Sequence, residues 1–222
     1  MPHQDRSFTL SEPDIVAAIG PIRWSWLPHP RTGPAEPAAR RWLERRLGLA
    51  QDSLPLTREA RGRPRIALPE RRYDASWSHS GEGLLIALGE DVELGVDMEW
   101  RRPRSRALEV AQRYFAPSEI AWLSGLPAAE LEHAFLRLWC AKEAVLKAQG
   151  YGLAFGLHRL SFAEDNDALS MTDCDPGLGK PEDWRLHEFV PADGYVAALA
   201  WRSPPQSTAA TPARKEDAVL PL

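Results

Sequence analysis

The sequence predicts an α+β fold. Strand-like segments dominate the first hundred residues, a helical period takes over from about residue 107, and strands return near the end. The two kinds of element mix without the strict alternation that a parallel α/β sheet requires. With 222 residues the chain is long enough for one large domain or two small ones.

Taken in order, Ser11-Glu-Pro-Asp followed by Ile15 to Ala18 has a cap residue, early acids and Gly20 as a stop, which predicts a short helix. Ile22–Leu27 is a strand bounded by prolines. From Glu36 to Leu49, Ala39, Leu43 and Leu47 recur at helical spacing and end at Gly48. A strand is expected near Leu54–Thr57, a turn at Gly62-Arg63-Pro64 and a strand at Arg65–Leu68. Ala75–Ser80 and Leu84–Leu88 form a strand pair joined through Gly81-Glu82-Gly83, and Glu93–Trp100 is the next strand. Helices are predicted over Ala107–Tyr114, Pro117–Leu123 and Ala128–Gln149, the last stopped by Gly150. Strands follow at Leu160–Phe162, Arg185–Val190 and Tyr195–Trp201. Residues 203–222, rich in Pro, Ser, Thr and charge, are expected to be a disordered tail.

Composition excludes several classes. Hydrophobic residues make up 44% and charged residues 26%, which rules out collagen-like or wholly disordered chains. A net charge of −4 argues against a generic nucleic-acid binder. No apolar run approaches the ~18 residues that would span a bilayer, and the first residues lack the pattern of a secretory signal. Cys140 and Cys174 are too few for a disulfide framework and wrongly spaced for a zinc site, so a cytoplasmic protein with free thiols is expected. Charge is uneven: Arg31–Arg72 holds 11 Arg against 5 acids, and Ala163–Asp193 holds 9 acids against 2 bases. Either run can be simply a solvated face.

Three segments carry candidate chemistry. In a strand, Gly95-Val-Asp-Met-Glu99 puts Asp97 and Glu99 on one face, about 7 Å apart, where two carboxylates can converge on a hard cation. Alone, it also reads as a half-buried strand with a polar outside. On the long helix, Trp139, Glu143 and Lys147 are four apart and share a face, with Lys142 about 100° away. The plain reading there is an exposed Glu143–Lys147 ion pair. In Trp77-Ser-His-Ser80, a strand presents His79 to one face and two hydroxyls to the other, which also suits a structural histidine. No Gly-x-Ser-x-Gly elbow supports hydrolase chemistry, and the remaining histidines lack metal-ligand spacing.

Together, in this order and spacing, Ser78-His79-Ser80, Gly95–Glu99 and Trp139–Lys147 resemble the 4′-phosphopantetheinyl transferases, specifically the larger Sfp-type branch. Arg61-Gly-Arg-Pro64, Ala111–Glu119, Tyr151-Gly-Leu153 and Leu160-Ser-Phe162 add secondary matches, and the resemblance spans roughly residues 31–201. Two departures are Arg63 where Lys is usual, which changes donor geometry, and Ser76 where Asn is common. The stretch before Arg31 is shorter than in well-known members, so basic residues that touch coenzyme A there are expected to be missing.

The resemblance implies two pseudo-symmetric α+β subdomains with the active site in the cleft between them. Residues 1–91 would form the N-terminal subdomain with coenzyme A contacts, and residues 92–202 the C-terminal one with the metal and catalytic motifs. It implies transfer of 4′-phosphopantetheine from coenzyme A to a serine of an apo carrier protein, releasing adenosine 3′,5′-bisphosphate. Mg²⁺ would be held by Asp97, Glu99 and Glu143. Glu143 would also be the base, and Lys147 would steady the phosphates. Arg31, Arg63, Ser78, His79 and Lys147 would hold coenzyme A. The implied partner is an acyl, peptidyl or aryl carrier protein, with no nucleic acid or membrane and a monomeric enzyme; the short trimeric holo-acyl-carrier-protein synthases do not fit this length. Two other classes stay open: another Mg²⁺-dependent phosphoryl hydrolase, and a non-catalytic coenzyme A- or carrier-binding protein. Finally, Arg101, Arg102, Arg104 and Arg106 follow the carboxylate strand around Pro103; they are either a solvated turn or a docking patch for an acidic carrier.

Overall fold

The structure, a computed structural model, describes residues 16–204. β1 (Ala17–Ile19) turns through Gly20-Pro21 into β2 (Ile22–Pro28), and α1 (Glu36–Leu47) follows, closed by Gly48 in the left-handed conformation. The short pair β3 (Leu56–Arg58) and β4 (Pro64–Ile66) precedes β5 (Tyr73–Ser80), β6 (Gly83–Glu90) and β7 (Glu93–Trp100). Three helices come next: α2 (Ala107–Tyr114), α3 (Pro117–Gly125) and the long α4 (Ala128–Gln149). The hairpin of β8 (Leu160–Asp165) and β9 (Ala168–Cys174) and the strands β10 (Arg185–Phe189) and β11 (Tyr195–Arg202) follow.

Two antiparallel sheets form the centre, with strand orders β1-β2-β6-β5 and β10-β11-β7. They pack face to face through Ile22, Leu85 and Ala87 of the first and Leu94, Val96, Met98 and Leu199 of the second. α1 covers the far side of the first sheet, where Trp42 and Leu43 meet Leu84, Ile86 and Leu88. α4 covers the far side of the second, where Ala141, Ala144 and Val145 meet Val196, Ala198 and Ala200. The layers therefore run helix, sheet, sheet, helix. This explains why β6 is almost uniformly apolar: odd and even residues are buried in different cores, so neither face needs polar residues. The mixed α and β content agrees with the expected class.

Some local expectations change. Ala17–Ile19 pair as a strand, not a helix, because Gly20 (φ +52°) allows a tight turn back onto β2. Residues 11–15 of that expected helix lie outside the described residues. β9 was not anticipated: Asn166 and Asp167 both adopt positive φ and make a hairpin turn, and only Leu169 of the polar strand behind it is buried. Of the expected tail, Ser203 and Pro204 are non-regular and the rest lies outside the described residues. Among the described residues no helix is long and apolar enough to cross a membrane, and both cysteines are free thiols.

Candidate active site

β5 and β7 belong to different sheets, yet side chains tie them together. The alternating polar residues of β5 reach the backbone of β7: Asp74 accepts from the Leu94 N–H at 2.8 Å, Ser76 from Val96 at 3.1 Å and Ser80 from Trp100 at 3.0 Å. These hydroxyl and carboxylate oxygens satisfy edge N–H groups that burial would otherwise leave costly. Ser78 departs from the series. Its Oγ donates to Asp97 Oδ1 at 2.7 Å and accepts from Lys147 Nζ at 3.1 Å. Ser80 Oγ also donates to Glu99 Oε2 at 3.0 Å. The two serines flanking His79 thus each hold one carboxylate of β7.

α4 approaches β7 closely because Gly95 has no side chain. A Cβ there would lie 2.0 Å from the Ala144 carbonyl oxygen and 2.5 Å from the Ala148 nitrogen. Ala144 and Ala148 supply the matching small face on the helix. This contact brings Glu143 and Lys147, one turn apart, to the carboxylates of β7.

The three carboxylates are neutralised in three ways. Asp97, 5% exposed, faces Lys147 Nζ at 2.7 Å. Glu99 faces Arg104 Nη2 at 2.7 Å. Glu143, 9% exposed, has its acidity weakened: burial, then the charge of Asp97, push its pKa up to about 7, with Lys147 opposing. The expected exposed Glu143–Lys147 pair is not what forms. Lys147 spends its three donors on Asp97, Ser78 and the Val96 carbonyl.

Other expected residues lie farther out. His79 stands edge-on to His29, ring centroids 4.8 Å apart, and burial together with His79 holds His29 below the usual histidine range. Arg31, 58% exposed, lies over the Trp100 ring at 4.8 Å and near Glu82 at 3.3 Å, at the rim where β7 ends. Arg63 is not brought to the carboxylates. Its guanidinium is buried against Asp74, the first residue of the β5 series. Among the Arg101–Arg106 residues, Arg101 and Arg102 are exposed, Arg104 is on Glu99 and Arg106 pairs with Glu109 at 2.8 Å.

Sequence reasoning missed Ser80 and Arg104 as partners of Glu99, and it missed the role of Lys142. The alternation Asp74-x-Ser76-x-Ser78-x-Ser80 was a readable signal for the first; nothing local announced the second. Lys142 is fully buried, its Nζ 2.7 Å from Glu119 Oε2, with the Leu157 and Leu160 carbonyls as further acceptors. Glu119 in turn accepts from the Ala116 and Phe162 N–H groups. That network fixes α4 against α3 and β8 without touching the carboxylate cluster.

Among the described residues, no three His, Cys, Asp or Glu side chains form a ready-made metal cage. The donor set nonetheless fits a hard cation such as Mg²⁺. Asp97 Oδ2 and Glu143 Oε1 are buried oxygens without a hydrogen-bond partner, and Glu99 stands two residues along the same strand. A buried carboxylate oxygen left open is costly unless something positive meets it.

Comparison with known proteins bears on this arrangement. A profile of the 4′-phosphopantetheinyl transferase superfamily matches residues 93–200. A putative 4′-phosphopantetheinyl transferase of Synechocystis sp. is 34% identical over 173 residues, covering 74% of this chain and 68% of the relative. The 4′-phosphopantetheinyl transferase HetI of Nostoc sp. is 34% identical over 157 residues, covering 69% and 63%. The 4′-phosphopantetheinyl transferase Sfp of Bacillus subtilis is 30% identical over 163 residues, covering 73% and 69%.

Proposed function

The chain belongs to the 4′-phosphopantetheinyl transferase superfamily, and we propose that it moves 4′-phosphopantetheine from coenzyme A to a serine hydroxyl of an apo carrier protein. Adenosine 3′,5′-bisphosphate is the leaving product. The observation that carries this reading is the convergence of Asp97 and Glu99 on β7 with Glu143 and Lys147 on α4, organised by Ser78 and Ser80.

Asp97, Glu99 and Glu143 are the residues that would hold Mg²⁺, which when bound supplies charge neutralisation at the pyrophosphate. Transfer at a pyrophosphate depends mainly on positioning and electrostatics, and this chain's residues divide that work. Glu143, beside Asp97 and one helical turn from Lys147, is the carboxylate that would accept the proton of the attacking serine. Lys147 holds Asp97 and lends its positive charge to the phosphates. Ser78 fixes both of them. Arg31, at the rim, and His79, beside His29, contact coenzyme A. Arg63 acts at one remove, through Asp74 and its bond to the Leu94 N–H.

In this reading the layers are two α+β halves, residues 1–91 and 92–202, with the site at their junction. The enzyme works as a cytoplasmic monomer on a separate carrier. Exposed Arg101 and Arg102 give an acidic carrier a docking edge beside the site. The test is incubation with coenzyme A, Mg²⁺ and a panel of apo acyl, peptidyl and aryl carrier proteins, read by intact mass. A gain of one phosphopantetheine on any carrier supports the reading; coenzyme A cleavage with no gain on any of them points to a phosphoryl hydrolase instead.

A further inference from the structure

We propose that Arg104 is a built-in counter-cation of Glu99 which competes with the divalent cation for that carboxylate and so weakens cation binding. The inference rests on the reading of Asp97, Glu99 and Glu143 as the cation's ligands.

The segment between β7 and α2 is pinned so that one arginine turns back onto the site. The Arg101 N–H donates to the Gly194 carbonyl at 2.8 Å, and the Arg104 N–H donates to Glu132 on α4 at 2.9 Å. Between them Pro103 restricts the backbone. From that anchored position Arg104 Nη2 reaches Glu99 Oε2 at 2.7 Å, the same oxygen that accepts from Ser80. Arg101 and Arg102 point to solvent and Arg106 goes to Glu109, so the contact belongs to Arg104 alone among the four.

The hold is deliberately weak in chemical terms. Lys147 meets Asp97 with all three of its donors engaged. Arg104 meets Glu99 through one nitrogen, without the two-point fork that makes arginine–carboxylate pairs strong, and its Nε is buried without a partner. A dication carries twice the charge and outcompetes a singly held guanidinium at the carboxylate they share, whose Oε2 Arg104 holds. Of the two basic side chains on the carboxylates, Arg104 is therefore the one that yields, and its displacement is subtracted from cation affinity.

The experiment is a titration of the full chain with Mn²⁺ as the probe, free Mn²⁺ being read by electron paramagnetic resonance, without coenzyme A. Arg104→Gln is expected to tighten Mn²⁺ binding by about fivefold or more, whereas Arg102→Gln, with the same loss of charge but no contact to Glu99, changes it by less than about twofold. In a Glu99→Gln background the Arg104→Gln effect should disappear. Equal effects of Arg104→Gln and Arg102→Gln, or no tightening by Arg104→Gln, overturn the proposal. Asp97→Asn separates the two levels of the argument. If it abolishes Mn²⁺ binding while Arg104→Gln does nothing, only the competition is wrong. If Asp97→Asn binds Mn²⁺ like the wild type, the cation site itself is wrong.

Discussion

Ser78 Oγ lies 2.7 Å from Asp97 Oδ1 and 3.1 Å from Lys147 Nζ, so one hydroxyl on β5 joins a carboxylate on β7 to an ammonium on α4. Three elements, from both sheets and the long helix, meet at that oxygen. Removing it leaves a buried carboxylate and an ammonium each short of a partner, a loss of roughly 1.5–3 kcal/mol when the groups are charged. Ser78→Ala should lower kcat/KM by about tenfold or more. Ser78→Thr, which keeps the hydroxyl, should retain most of it. Steady-state kinetics on the two variants decide the matter; equal activity of both would remove Ser78 from the site.

Gly95→Ala should damage the helix–strand contact directly. The new methyl would stand 2.0 Å from a backbone oxygen, so α4 must move or the strand must bend. Such overpacking costs about 1–3 kcal/mol or more. Transfer should fall further than the melting temperature suggests, because the shift carries Glu143 and Lys147 away from Asp97. A variant with wild-type melting and wild-type rate would show that the contact tolerates a side chain.

Glu143 should make the fold less stable as pH rises. Its folded pKa of about 7 lies above the ordinary 4.5, so the folded chain holds this proton more tightly than the unfolded chain does. Below pH 4.5 both states are protonated and the group is neutral to stability. Between 4.5 and 7 stability declines, and above 7 the full cost, on the order of 1–3 kcal/mol, is present. Glu143→Gln should therefore lose transfer activity yet melt higher than the wild type at pH 8 in a chelator, with the gain vanishing near pH 4.5. Thermal melts across that range check the sign.

Lys142 and Glu119 should behave as a buried pair whose halves depend on each other. Burial pulls the Lys142 pKa down to about 8, with Glu119 opposing. Lys142→Met strands Glu119 in the core and should cost about 3–5 kcal/mol. Adding Glu119→Gln, which keeps a carbonyl acceptor for the Phe162 N–H, should recover much of that loss. Denaturant unfolding of the single and double variants measures the coupling.

The carboxylate strand and the helix face were legible because each is periodic in sequence: Asp97 and Glu99 two apart, Glu143 and Lys147 four apart. Their meeting was not, since it depends on Gly95 against Ala144 and on a serine from another sheet. Arg63 shows the same limit. The resemblance implied a coenzyme A contact for it, and nothing in the sequence announced the buried pair it makes with Asp74. β1 and β9 were missed because short strands with polar or small residues are defined by the partner across the turn rather than by their own pattern.

The most direct measurement is the intact mass of an apo carrier protein after incubation with coenzyme A, Mg²⁺ and this chain. The carrier should gain one phosphopantetheine, only with Mg²⁺ present and not with Asp97→Asn. A carrier mass that never changes across the acyl, peptidyl and aryl carriers, or conversion by Asp97→Asn at the wild-type rate, would contradict it.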